Sequence, residues 1–295
     1  MTKLKPEKIK IKSLAKVKEG DYVDLPFSVM NRQVMLATAP SIYNNGKAYI
    51  DYTTIEKGFI KVKYLYLTIL KLKVQVKSQS TYTYDIKSDT EYIIPLSEGN
   101  GKYEISIYEN VTGTKYKKII TQSLDAIIKE PLYAYKISNI YVNYKPGDAV
   151  FNKARTLVDN KKTDIDKINA IYTWVVNNFT YDTKLAKTVK SAYVPNLTEV
   201  LNKKSGICFD YAALTVAMLR IVGIPAKLVF GYAGNTYHAW IEVYSSSAGK
   251  INKNFDIKAN IWTRLDPTFD SSSKGSQSVL NYIGNGKNYA SKYFY

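Results

Sequence analysis

One cysteine and one histidine occur in 295 residues. The lone cysteine, Cys208, excludes an internal disulfide framework, and with it cysteine-rich zinc and iron–sulfur sites. The lone histidine, His238, excludes a multi-histidine metal site. No dense carboxylate loop of the calcium-binding type occurs, so no metal or cofactor is expected. Long apolar runs are missing too. The strongest early one, Tyr64-Leu-Tyr-Leu-Thr-Ile-Leu70, is too short to span a bilayer and is flanked by lysines. No transmembrane segment is therefore expected, and no apolar leader follows Met1. Arginine-rich blocks and zinc-finger spacings are also lacking, which argues against specific nucleic-acid recognition.

What is present is positive charge. Lys and Arg number 42 against 25 Asp and Glu, a net +17. The lysines are spread along the whole chain, as on a solvated surface. Such a field favours anionic partners, among them a membrane surface or a cell-wall polymer. Apolar residues make up 45% of the chain, and a chain of this length buries a large core without crosslinks. Length alone favours two domains. A secreted or cell-surface protein whose export signal is absent from this chain is expected, with cytoplasmic residence left open.

The pattern along the chain divides at about residues 123–146. Residues 1–45 are lysine-rich, with weak strand signals such as Tyr22-Val-Asp-Leu25, and are assigned no fold. Residues 46–128 are expected to form a β-sandwich-like domain. Phe59-Ile-Lys-Val-Lys-Tyr64 and Leu72-Lys-Val-Gln-Val-Lys77 alternate with period two, and Gly99-Asn-Gly and Val111-Thr-Gly-Thr mark turns. Residues 129–295 have a different pattern. Helices are expected over 148–159, 163–179 (with Thr163 as its cap), 196–203 and 207–222, the last stopped by Gly223-Ile-Pro225. Strands are expected over 226–232, 237–244 and 261–266. Helices followed by strands imply an α+β domain. The tail from Ser271 is rich in Ser, Gly and Asn and reads as surface loop.

Three residues in this second domain can do chemistry together. Cys208 falls in the first turn of a helix, where the helix dipole favours the thiolate, the reactive form of cysteine. His238, at the start of a strand, is the one available base. Asp266 ends the next strand and can orient the histidine if the two strands pair antiparallel. Asp270 is a neighbour that could be mistaken for it. The Cys208 backbone N–H is a candidate oxyanion donor, and the second donor is not assigned. Taken singly, a lone cysteine is more often packing than nucleophile, and Asp-Pro-Thr is a common turn. The ordered placement on helix start, strand and strand is what favours catalysis.

At these residues the chain resembles the transglutaminase-like superfamily, which has a papain-like cysteine core. The matching blocks are Lys204-Ser-Gly-Ile-Cys208-Phe-Asp-Tyr, then Gly231-Tyr and His238-Ala-Trp-Ile-Glu242, then Trp262 and Leu265-Asp266-Pro267-Thr268. The resemblance covers about residues 145–270. It implies an α+β fold, helices packed on an antiparallel sheet, preceded by an accessory β domain of a type found in secreted Gram-positive proteins. It implies a Cys208–His238–Asp266 triad and a thioester intermediate formed from a peptide or protein amide. The acyl acceptor, water or amine, is left open. Trp240 is expected near the histidine, Asp210 and Tyr211 in support of the first helical turn, and Gly206 where the backbone turns tightly before Cys208. Residues 245–258 and the tail are candidates to cover Cys208. A catalytically silent module that binds an anionic wall polymer or a protein is the competing expectation.

Overall fold

A computed structural model of the chain describes residues 7–10, 22–25, 41–252 and 255–295. β1 (Glu7–Lys10) pairs antiparallel with β2 (Tyr22–Leu25); the rest of the expectation for residues 1–40 lies outside the described residues. β3 (Ile42–Asn44), β4 (Ala48–Asp51), β5 (Phe59–Tyr64) and β8 (Glu91–Pro95) form one four-stranded sheet in the order β3-β4-β5-β8. β6 (Leu72–Lys77), β7 (Thr81–Ile86), β9 (Gly101–Thr112) and β10 (Lys115–Ala126) form a second, in the order β10-β9-β6-β7. Period-two alternation decides which side chains go in: β6 buries Leu72, Val74 and Val76, and β7 buries Tyr82, Tyr84 and Ile86. These share one buried cluster with Ile50, Ile60, Val62 and Ile94 of the first sheet. The two sheets therefore stack as an antiparallel sandwich.

Among the described residues, seven α-helices and another four-stranded sheet follow. The helices are α1 (Ala149–Leu157), α2 (Asp164–Asn178), α3 (Thr183–Thr188), α4 (Leu197–Lys203), α5 (Cys208–Ile221), α6 (Pro267–Ser273) and α7 (Gln277–Gly284). Thr163 caps α2 as expected, its hydroxyl accepting from the Asp166 N–H at 3.1 Å. α5 buries every residue from Phe209 to Arg220, so it is a central helix rather than an amphipathic surface one. It packs on β13 (Ala226–Ala233) and β14 (Thr236–Val243) on one side and on α1 and α2 on the other. Gly223, at φ +87°, ends it in the left-handed region that glycine tolerates. The sheet runs β17-β14-β13-β18, with β17 spanning Thr263–Leu265 and β18 Tyr289–Phe294.

Two expectations are corrected. The tail is not a surface loop: α6, α7 and β18 occupy it, and β18 pairs with β13 from Val229↔Phe294 to Ala233↔Tyr289. The turn residues do make turns, at Lys274 and Gly275. Between them and the end, however, Leu280 and Ile283 bury one helical face, and Tyr289 and Tyr295 are buried as well. The described part of residues 245–258 does not cover Cys208. β15 (Gly249–Ile251) and β16 (Phe255–Ile257) form a hairpin instead. It lies on α2, where Gly249 is so close to the Ile165 side chain that a Cβ there would sit 2.8 Å from it.

Aromatic side chains bind the sandwich to the second half. Tyr84 and Tyr141 both pack edge-on against Tyr295, with ring centroids 5.9 and 4.7 Å apart. The wholly buried Arg220 of α5 donates to the carbonyls of Ala226, Ile137 and Tyr295 at 2.7–2.9 Å. Burial lowers its pKa to about 10.

Candidate active site

Cys208 is the first residue of α5, so its backbone N–H is one of the helix's unpaired initial donors. The turn before it is held by Asp210, whose carboxylate accepts from the Ile207 N–H at 2.7 Å and from the Tyr193 hydroxyl at 2.6 Å. Burial raises the Asp210 pKa, and those two hydrogen bonds oppose the rise. Gly206 is required here for space. A Cβ on it would lie 2.5 Å from the Asp210 Cβ. β12 (Ser205–Gly206) runs parallel to β11 (Thr180–Tyr181), which sets Tyr181 beside the cysteine.

His238 lies on β14, opposite Gly231 of β13. Gly231 leaves room for two neighbours: a Cβ there would meet the Ala290 carbonyl oxygen at 2.1 Å and the Trp240 ring at 2.7 Å. The imidazole is buried and stacks on Phe269 at 4.3 Å between centroids. Trp240 packs 6.2 Å away on a nearly parallel plane.

Asp266 follows β17 directly, and β17 pairs antiparallel with β14 through Ile241↔Leu265. That pairing carries the carboxylate to the histidine. Asp266 Oδ2 lies 2.8 Å from His238 Nε2 and accepts the Tyr289 hydroxyl at 2.9 Å. Oδ1 accepts the N–H groups of Thr268 and Phe269 at the start of α6, at 3.1 and 3.0 Å. A fully buried carboxylate is thus satisfied on both oxygens.

Burial pushes the His238 pKa down, but the hydrogen bonds to Asp266 and Cys208 outweigh it and carry the value up to about 10. Since Nε2 is engaged by Asp266, Nδ1 is the nitrogen left for the Cys208 thiol. Asp270, one helical turn on, is buried beside Tyr172 with its pKa raised by burial, and it makes no bond to the histidine.

Cys208 and His238 open into a cleft of about 500 Å³ walled by Tyr181, Tyr193, Phe230, Tyr237 and Tyr295. Thr81 and Thr83 of β7 reach it from the sandwich, and Lys190 supplies a cation. The structure brings all three sequence-expected residues together. It adds Phe269 and Tyr289, which the sequence reading missed. Phe269 sits in the same short motif as Asp266 and could have been suspected; nothing local marks Tyr289. Among the described residues, no group of three or more His, Cys, Asp or Glu side chains could hold a metal ion, and no helix is long and apolar enough to cross a membrane.

Residues 152–267 match the family model of the transglutaminase-like superfamily. The uncharacterized protein YebA of Bacillus subtilis (strain 168) is 27% identical over 213 residues, 62% of this chain and 26% of that protein. The human kyphoscoliosis peptidase is 29% identical over 101 residues, 30% of this chain and 15% of that protein. The chain therefore spans about a quarter or less of these relatives. A crystal structure of a candidate cysteine protease from Cytophaga hutchinsonii aligns with a TM-score of 0.37 at 16% identity, over 71% of this chain and 78% of that one.

Proposed function

We propose that the transglutaminase-like domain performs cysteine-dependent acyl transfer on peptide or protein amides through a thioester. One observation carries the reading: the chain's single cysteine begins a buried helix beside a histidine whose far nitrogen is 2.8 Å from a fully buried carboxylate. The relative named a peptidase fits the same class of bond.

In this scheme the Cys208 proton resides on His238 Nδ1 before attack, in keeping with the raised histidine pKa. Asp266 fixes the ring and stabilises the resulting imidazolium without taking a proton itself. Cys208 Sγ attacks the amide carbonyl, and the oxyanion develops against the Cys208 N–H at the positive end of α5. The imidazolium then protonates the departing amine, the C–N bond breaks, and the acyl group remains as a thioester. Water or an amine, deprotonated by His238, attacks the thioester, and the thiolate leaves with its proton restored. The aromatic walls exclude water from an acyl chain, and Thr81 and Thr83 give the sandwich a share in positioning it.

The test is incubation with a glutamine-containing casein and a fluorescent primary amine, read by mass spectrometry. Amine incorporation identifies transfer, and cleavage or deamidation identifies hydrolysis. If the wild type gives none of these above the Cys208→Ala background, acyl transfer on protein amides is wrong.

A further inference from the structure

The apolar run after Tyr64 ends up on the surface. Tyr64 closes β5, and the loop to β6 then exposes Tyr66, Leu67, Ile69 and Leu70, with Leu67 84% exposed and Ile69 wholly so. Single exposed apolar residues are ordinary; four within five positions are not. The loop is also shaped rather than loose. Thr68 donates its N–H to the Ser88 hydroxyl, which donates in turn to the Thr68 carbonyl, and Leu70 N–H bonds the Thr68 hydroxyl.

Strand register shows what surrounds this loop. Leu72 pairs with Ile86 and with Glu109, Ala48 pairs with Tyr64, and Asn110 N–H bonds the Lys71 carbonyl. The β3–β4 turn, the β7–β8 turn and the β9–β10 hairpin therefore meet at the same end of the sandwich. They add the exposed Val111 and the exposed lysines Lys47, Lys87 and Lys115 to Lys71 of the loop itself. None of these four lysines has an ion-pair partner among the described residues. The nearby acids are already engaged. Asp89 pairs with Lys63, Asp85 with Lys73, and Glu91 and Glu109 accept tyrosine hydroxyls.

The geometry points to an anionic lipid bilayer as the partner of this end, with Leu67 and Ile69 entering the headgroup layer and the lysine ring resting on lipid charges. The tip is convex. A protein partner would need a matching hollow, whereas a fluid interface closes around apolar side chains of any outline, and the cations draw it in. β7, six residues and about 20 Å long, runs from Thr81 at the cleft to Ile86 at this end, so docking leaves the cleft open.

The test is co-sedimentation of the full chain with vesicles of phosphatidylcholine containing roughly one-third phosphatidylglycerol, against pure phosphatidylcholine. The wild type should sediment with the anionic vesicles, and should bind less as salt rises from about 0.1 to about 0.5 M. Leu67→Ser/Ile69→Ser, both surface changes, should lose about tenfold in binding while keeping the wild-type melting temperature and casein activity. Lys47→Glu/Lys71→Glu/Lys87→Glu should lose at least as much. A wild type that stays in the supernatant overturns the inference. So does a serine variant that binds as well as wild type, because general positive charge would then suffice. Neither outcome depends on whether Cys208 transfers acyl groups.

Discussion

The Tyr289 hydroxyl donates to Asp266 Oδ2 at 2.9 Å, on the same oxygen that holds His238 Nε2. A residue of the last strand therefore shares the orienting carboxylate with the proposed base. Under the proposed function this makes Tyr289 a positioning residue, since it lies outside the cleft lining and acts through Asp266. Tyr289→Phe removes one hydrogen bond from a buried anion and leaves the ring packing on Trp240 intact. A fall in kcat of about tenfold with little change in KM is expected, together with a displaced pH profile. A variant with wild-type kcat and pH profile would assign the contact to packing alone.

Cys208→Ala should abolish labelling by iodoacetamide at pH 7 and every casein product. Asp266→Asn retains an oxygen for the α6 cap but loses the anion beside the imidazole. Its kcat should fall by roughly 10³–10⁴ with the fold preserved by circular dichroism. Labelling of the wild type no faster than that of a free thiol would mean the cysteine is not activated.

The histidine also gives stability a pH dependence. Its folded pKa, about 10, stands above the ordinary 6.5. Folded protein therefore binds the proton more tightly, and the stabilisation is fully present below about pH 6.5 and lost as pH rises through about 10. Denaturant midpoints of wild type and His238→Gln should differ most at acidic to neutral pH and converge towards pH 10. A difference that does not change with pH would contradict this.

Gly231→Ala should destabilise the protein by about 1–3 kcal/mol, because its Cβ would displace either the Ala290 backbone or Trp240. The signature is a lower melting temperature accompanied by weakened protection of the β13–β18 amides in hydrogen exchange. Gly46 provides the contrast. A Cβ there would meet nothing within 4 Å, but its φ of +84° makes the site one strained by backbone rather than by space.

How much of this was legible in the sequence follows from the range of each interaction. Cys208 was readable because a helix start is announced within a few residues. His238 and Asp266 were readable because alternation and a turn place them on strands that pair. Their approach needed only the assumption of antiparallel pairing, which Ile241↔Leu265 bears out. β18 was not readable. The serines, glycines and asparagines that precede it in residues 271–288 resemble those of loops, and its stability comes from pairing with β13, about sixty residues earlier in the chain. The exposed Leu67 and Ile69 were visible as an apolar run, but hydropathy alone does not say which side of the fold such a run faces.

The participation of β18 has a consequence for biosynthesis. Cys208 and His238 leave the ribosome well before Tyr289 secures Asp266 and before Tyr293 and Tyr295 complete the cleft wall. A growing chain therefore carries its thiol past its neighbours while the machinery to use it is unfinished. Under the proposed chemistry, synthesis order leaves the thiol without its assembled partners until β18 has docked on β13.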